Sequence, residues 1–384
     1  MPQIEFSKRL QQLPPYLFAE IDKAKRAARA EGRDIIDLGV GDPDSATPKF
    51  IIDALKKASE DGRNHHYAFD AGMPELRQTI STWCKKRFNI SVDADTEVYP
   101  LIGSKEGLTH LPLGIINPGD RVLIPDPAYP AYRSSVMFAG GEAVSLPLTA
   151  KNDFLPELSH LKNAKAVFLN YPNNPTAATL PKAYMKDLVA VARKENIIII
   201  SDLAYSEVYY DNEKPASLFE IDGAKDIAIE FHSFSKTFYM TGWRIGWACG
   251  NAKLITALAK VKTNIDSGIF QAIQVAGIEA LRKGDKAVAD MRTLYQDRRD
   301  AFIQGLHSIG WNVPAPKATF YVWAPIPTTF KNSMETSKAF LEKANIVATP
   351  GIGFGSCGEG YIRMTITMEK AKLLAAVDRL KKIL

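Results

Sequence analysis

The chain has 384 residues, 46% of them hydrophobic and 24% charged, with a formal net charge of +5 from 48 basic and 43 acidic side chains. That is the balance of a globular protein with room for two domains, and so small a charge over this length gives no reason to expect nucleic-acid binding. There is no signal-peptide pattern, no apolar run near the roughly eighteen residues of a membrane span, and no zinc or disulfide spacing among Cys84, Cys249 and Cys357, so a cytoplasmic protein with reduced thiols and no metal is expected.

In chain order, residues 1–48 read as a helix over 16–31 and a short strand in "DIIDLGV". These cannot bury a core by themselves and are expected to pack with the end of the chain. Between 49 and 284, short apolar runs alternate with helical patterns. The runs at 97–102, 121–125, 166–171, 197–201, 227–232 and 244–249 read as strands, and 105–116 and 181–195 as covering helices. Such alternation is the pattern of an α/β protein with a mostly parallel sheet. From 285 onward come a long helix (287–309), two strands (319–326 and 361–367) and a closing helix (368–383). The expected organisation is therefore a large α/β unit, 49–284, and a smaller discontinuous α/β unit made from 1–48 and 285–384.

Ligands of open α/β sheets bind beyond the carboxyl ends of the strands. The residues there are informative. Gly103-Ser104-Lys105 follows the 97–102 strand and opens a helix, a turn whose free N–H groups suit phosphate. Tyr129 stands in "DPAYPAY" after the next strand. Asn174 stands in "PNNPTAA", where the following proline pushes its backbone to extended geometry. Asp202 ends an otherwise apolar strand, so its carboxylate needs a partner, and Tyr205 follows three residues later. "SFSKTFYMTGWRIG" then sets Lys236 among hydroxyl residues, with Arg244 eight residues on. Singly, each has a plain structural reading: Asn174 caps a turn, Asp202 caps a helix, the tyrosines pack in a core, and the cations lie in ion pairs. Jointly they fall at one edge of one sheet. A lysine amine able to form a Schiff base, a phosphate cup, and a carboxylate for a pyridine nitrogen together suit pyridoxal 5'-phosphate. Ser233, Ser235 and Arg244 would then hold the phosphate.

Over nearly its whole length, and most specifically in "SFSKTFYMTGWRIG" and "NNPT", the sequence resembles the class I/II aminotransferases of the fold-type I pyridoxal phosphate enzymes. The resemblance implies a large domain with a mostly parallel, seven-stranded type of sheet. It implies Lys236 as the Schiff-base lysine, Asp202 as partner of the pyridine nitrogen, and Asn174 and Tyr205 on the phenolic oxygen. Ser104, Lys105, Ser233, Ser235 and Arg244 match the phosphate site, and Tyr129 the stacking aromatic. Tyr67, in "HHYAFDAGMPELR", resembles the tyrosine that reaches the phosphate of the neighbouring subunit, implying a homodimer with shared sites. Arg363, in "YIRMTIT", resembles the arginine that grips the substrate carboxylate, with Gly41 beside it. Ala177 departs from the family, which usually has glycine after "NPT"; a positive φ there would cost energy.

Stretches such as "LPPYLFAEID", "LIGSKEG" and "KTNIDSGIFQAIQ" are similar to the branch acting on LL-2,6-diaminopimelate with 2-oxoglutarate. That similarity would add Tyr16, Lys105 and Asn174 to the substrate contacts. Aspartate-, alanine- or aromatic-acting aminotransferases and a β-lyase on the same fold stay open as alternatives. "GIGFGSCGEG" (351–360) is not a dinucleotide fingerprint and reads as a loop near the substrate.

Overall fold

The structure is a computed structural model and describes residues 2–13, 17–68 and 71–384. Its strands, in chain order, are β1 (Ile36–Asp37), β2 (Val98–Leu101), β3 (Arg121–Asp126), β4 (Glu142–Pro147), β5 (Ala166–Asn170), β6 (Ile198–Asp202), β7 (Ala228–Ser233), β8 (Gly246–Gly250), β9 (Tyr321–Pro325), β10 (Ile346–Val347), β11 (Thr349–Pro350) and β12 (Tyr361–Thr365). Seven of them form one sheet in the order β2-β8-β7-β6-β5-β3-β4. Within it, β7, β6, β5, β3 and β4 pair in parallel, whereas β8 runs antiparallel to both of its neighbours.

The apolar runs become strands because both faces of the sheet are covered. Ile200 of β6 points into a layer with Phe168, Ile229 and Phe231, against Leu108 and Leu111 of the helix Ser104–Ile115. Its neighbour Ile199 points the other way, onto Leu188 and Val189 of the helix Lys182–Lys194. Adjacent strand residues necessarily face opposite sides, and burying each such side chain stabilises the fold by about 1.5–3 kcal/mol. This is why a continuous "IIII" run is consistent with a strand that has no solvent face.

A second region is built from both ends of the chain. β1 pairs in parallel with β10 (Ile36 opposite Ile346), and Arg33 Nε donates to Asn345 Oδ1 at 2.7 Å. Beside them β11, β12 and β9 form an antiparallel sheet. The long helix Asp285–Ser308 packs its Phe302 and Leu306 into the same core as Leu373 and Val377 of the helix Lys370–Leu380. Among the described residues, no helix is long and apolar enough to cross a membrane.

Two expectations need correction. The strand expected over 244–249 begins only at Gly246, because Arg244 takes a left-handed conformation (φ 53°) that no extended strand accommodates. The edge strand β4 was absent from the expected set.

Candidate active site

The parallel register brings the polar residues together. Asn170 of β5 lies opposite Asp202 of β6, and Asp202 opposite Phe231 of β7, so β5 and β6 end at one level and β7 runs two residues further, to Ser233. Above these ends is a cavity of about 350 Å³. Asp202, Tyr205, Ser233, Ser235 and Lys236 line it from the β6 and β7 ends. Ser104 and Lys105 enter from the first turn of their helix, Tyr129 and Asn174 from the loops after β3 and β5, and Arg244 from the turn before β8. Gly41 and Arg363 close it from the second region. Two of the expected site residues are not brought there. Tyr67 is 87% exposed and does not line this cavity. Tyr16 lies outside the described residues.

On the floor, Asp202 is 6% exposed. Its Oδ2 accepts the Tyr132 hydroxyl at 2.6 Å and its Oδ1 accepts the Ala204 N–H at 3.2 Å. Burial raises its pKa from the ordinary 3.8 to about 6, against the opposing pull of the Tyr132 and Ala204 hydrogen bonds and the charges of His232 and Lys236. The carboxylate is thus about half protonated near pH 6 unless a cation faces it. Lys236 reaches the other way: its Nζ donates to the Gly41 carbonyl at 3.1 Å and lies 5.8 Å from the centre of the Phe320 ring.

On one side stands an anion cradle. Gly103 takes φ 78°, and a β-carbon there would collide with the Arg244 guanidinium. The Ser233 hydroxyl accepts the Ser235 N–H at 3.2 Å, which aims the turn before Lys236. The helix Ser104–Ile115 presents its N-terminus, Ser104 side first, with the positive end of its dipole toward the cradle. Donors, a guanidinium and a close backbone approach together fit a phosphate. With Lys236 and buried Asp202 alongside, the donor set fits pyridoxal phosphate.

Opposite the cradle, Arg363 of β12 is 5% exposed. Its guanidinium lies 4.3 Å from the Tyr321 ring centre and 4.7 Å from that of Phe354. Nη1 donates to Asn174 Oδ1 at 2.9 Å, and Nη2 to the Gly39 carbonyl at 2.8 Å. Two planar faces and two anchors fix the fork in one orientation, which suits bidentate capture of a carboxylate. Gly41 is required as glycine by contact: a β-carbon would strike the Tyr321 hydroxyl. The segment around it is tied down by Arg298, which holds Asp44 bidentately at 2.7 and 2.8 Å.

Three site residues were missing from the sequence reading. Tyr132 is the second tyrosine of "AYPAY", and the repeat was the available signal. Tyr321, whose hydroxyl lies 2.9 Å from that of Tyr205, sits in an aromatic strand with nothing to mark it. Phe354 belongs to the 351–360 loop, and its place in the cavity lining agrees with the expectation that this loop lies near the substrate.

The family model for aminotransferase class I and II matches residues 33–380. Among similar proteins are LL-diaminopimelate aminotransferase of Nitratidesulfovibrio vulgaris (strain Miyazaki F), 50% identical over 100% of both chains, and that of Aquifex aeolicus, 49% identical over 99% of each. Among solved structures, substrate-bound BacF from Bacillus subtilis is 37% identical with a TM-score of 0.95 (100% of this chain, 98% of that one). Thermus thermophilus aspartate aminotransferase with maleate is 28% identical with a TM-score of 0.93 over 100% of both. A family match spanning the sheet, the cradle and Arg363 agrees with a donor set that a single sheet edge assembles: the chain belongs to the class I and II aminotransferases.

Proposed function

We propose that this enzyme is a pyridoxal-phosphate-dependent transaminase that takes the amino group of LL-2,6-diaminopimelate and gives it to 2-oxoglutarate, yielding glutamate and, after cyclisation with loss of water, tetrahydrodipicolinate. The observation that carries the donor assignment is the near-50% identity, end to end, with curated LL-diaminopimelate aminotransferases. The chemistry of the cavity is compatible with it. The donor has a carboxylate at each end: Arg363 at one wall suits the α-carboxylate, and Lys105, near Tyr129, stands between the phosphate cradle and the open cavity and is read as serving both the phosphate and the far carboxylate.

In this reading Lys236 would hold the cofactor's aldehyde carbon, and Ser104, Lys105, Ser233, Ser235 and Arg244 would hold its phosphate. Tyr129 would stack on the ring, Asn174 and Tyr205 would bond its phenolic oxygen, and Asp202 would face its nitrogen. When bound, pyridoxal phosphate supplies an electron sink for the charge left at the substrate α-carbon. Asp202 would favour a proton on the facing nitrogen, which requires the carboxylate to be ionised. Arg363 orients the α-carboxylate, so that the Cα–H bond points at the freed Lys236. Lys236 Nζ would take that proton as general base and, as general acid, would deliver it to the carbon that had been the cofactor's aldehyde carbon. Tyr205 and Tyr321, both buried, line this volume. The protein is read as a cytoplasmic homodimer in which Tyr67, and Tyr16 at the substrate, serve the neighbouring subunit's site. The large unit of 49–284 carries the cofactor, and the small discontinuous unit of 1–48 and 285–384 brings Gly41 and Arg363.

The test is a single-turnover panel with cofactor-loaded enzyme: LL-diaminopimelate, meso-diaminopimelate, glutamate, aspartate, alanine and phenylalanine, one at a time. Rapid loss of the aldehyde form's absorbance with LL-diaminopimelate and glutamate alone is the expected result. Rapid reaction with aspartate, alanine or phenylalanine and none with LL-diaminopimelate would leave an aminotransferase with another donor. Pyruvate and ammonia released from a cysteine conjugate without any keto-acid acceptor would instead favour a β-lyase.

A further inference from the structure

Beside Asp202 in the cavity lining, Tyr132 is a buried phenol whose oxygen has one charged neighbour. It lies in the helix Ala131–Phe138, is 1% exposed, and donates to Asp202 Oδ2 at 2.6 Å. Its ring is fixed independently of that bond. It stacks on Phe168 (centroids 5.0 Å apart, planes at 20°) and meets Tyr129 edge-on at 5.7 Å. Burial and the adjacent carboxylate hold the phenol protonated, so the hydroxyl acts only as donor here. Asp202 in turn has each oxygen engaged, Oδ2 by Tyr132 and Oδ1 by the Ala204 N–H.

We propose that Tyr132 is a positioning residue for the reaction: its hydroxyl fixes the Asp202 carboxylate in one orientation toward the cavity and favours its ionised form, the state a cationic ring nitrogen requires. Rigid support matters because a carboxylate on a single-bonded stem rotates, whereas a donor on a stacked ring does not move with it. An O–H···O⁻ bond of this length is also among the stronger hydrogen bonds, and it acts on the charged form alone. The same helix start thereby serves two contacts. Tyr129 faces the ring position directly, and Tyr132, three residues on, acts through Asp202. The inference rests on the reading of Asp202 as partner of the cofactor nitrogen.

The groups facing Asp202 are Tyr132, Tyr205, His232 and Lys236, with Tyr129 beyond Tyr132. Tyr132→Phe removes the hydroxyl and keeps both ring contacts, so a purely packing role predicts no change. The sign follows from the charge that is favoured. Without the donor, Asp202 becomes protonated at higher pH, and cofactor affinity starts to fall at higher pH. The experiment measures pyridoxal phosphate affinity of the cofactor-free full chain, wild type and Tyr132→Phe, by fluorescence quenching across pH. The expected loss in the variant is roughly fivefold or more at about pH 5.5 relative to about pH 8.5, the size given by a hydrogen bond to a charged group. An affinity ratio that does not vary with pH would overturn the proposal. A second measurement uses the cofactor-free chain alone. Acidification through the Asp202 transition should perturb a tyrosine ultraviolet band in wild type, and this perturbation should vanish in both Tyr132→Phe and Asp202→Asn. Its persistence in Tyr132→Phe would also overturn the proposal. If wild type bound no pyridoxal phosphate, the cofactor reading would fail, while the ultraviolet titration would still decide whether Tyr132 governs Asp202.

Discussion

Ala177 sits at φ 59°, in the left-handed region, with its side chain buried at 5% exposure. Its N–H donates to the Asn173 carbonyl at 2.9 Å, so the turn is closed by a hydrogen bond that demands this conformation. A β-carbon in that region costs about 1 kcal/mol, and glycine does not bear the cost. Ala177→Gly is therefore expected to stabilise the protein by about 1 kcal/mol, seen as a higher denaturant midpoint with unchanged turnover. A lower midpoint would mean that packing of the β-carbon outweighs the backbone strain. The sequence flagged the risk through the missing glycine after "NPT", but whether the backbone turns left-handed there is a property of the folded loop. The cavity shows the same division at single residues. Lys236, Asp202 and Arg363 are charged groups where apolar residues would be expected, and so stand out in one dimension. Tyr132 and Tyr321 are aromatic residues among aromatic residues, and only a hydroxyl at hydrogen-bonding distance distinguishes them.

At the scale of elements, the turn that opens the helix Ser104–Ile115 is the most constrained. Gly103 combines φ 78° with direct contact to Arg244, and the Glu106 carboxylate accepts the Ile102 N–H at 3.0 Å, locking the turn from inside the helix. Gly103→Ala should retain secondary structure by circular dichroism while weakening pyridoxal phosphate binding about tenfold or more, since the added β-carbon displaces the Arg244 guanidinium from the cradle and a hydrogen bond to a charged group is worth about 1.5–3 kcal/mol. Undiminished affinity would remove this turn from the phosphate site. Strands β2, β3, β5, β6 and β7 were legible because each is buried on both faces and reads as an apolar run. The β4 segment, "EAVSLP", pairs only with β3, and of its six residues only Leu146 is fully buried. An edge strand half in solvent has neither a long apolar run nor strict alternation to announce it. β10 and β11, two residues each, are too short to carry any period.

At the scale of the whole molecule, Tyr67 is the residue whose position and expected role diverge most. It stands 87% exposed, beside His66, whose carbonyl accepts from Gln271 at 3.3 Å. In the proposed homodimer its hydroxyl reaches the partner's phosphate. Tyr67→Ala should accordingly weaken cofactor affinity by several-fold, about 1 kcal/mol for one hydrogen bond, even though Tyr67 does not line its own chain's cavity. Equal affinity for variant and wild type, in equilibrium titrations of the dimer, would show that the sites are not shared in this way.

What the sequence determined by itself was the alternation of strands and helices, and with it the sheet edge where Asp202, Ser233 and Lys236 had to emerge. Those follow from local spacing and from the rule that parallel strands end together. Tertiary structure alone decided the rest. Arg363 and Gly39 are 324 residues apart yet share a hydrogen bond, and β1 finds its partner in β10 across most of the chain. Tyr132 meets Asp202 across 70 residues. Contacts of such separation depend on how layers pack, and no local period in the sequence records that.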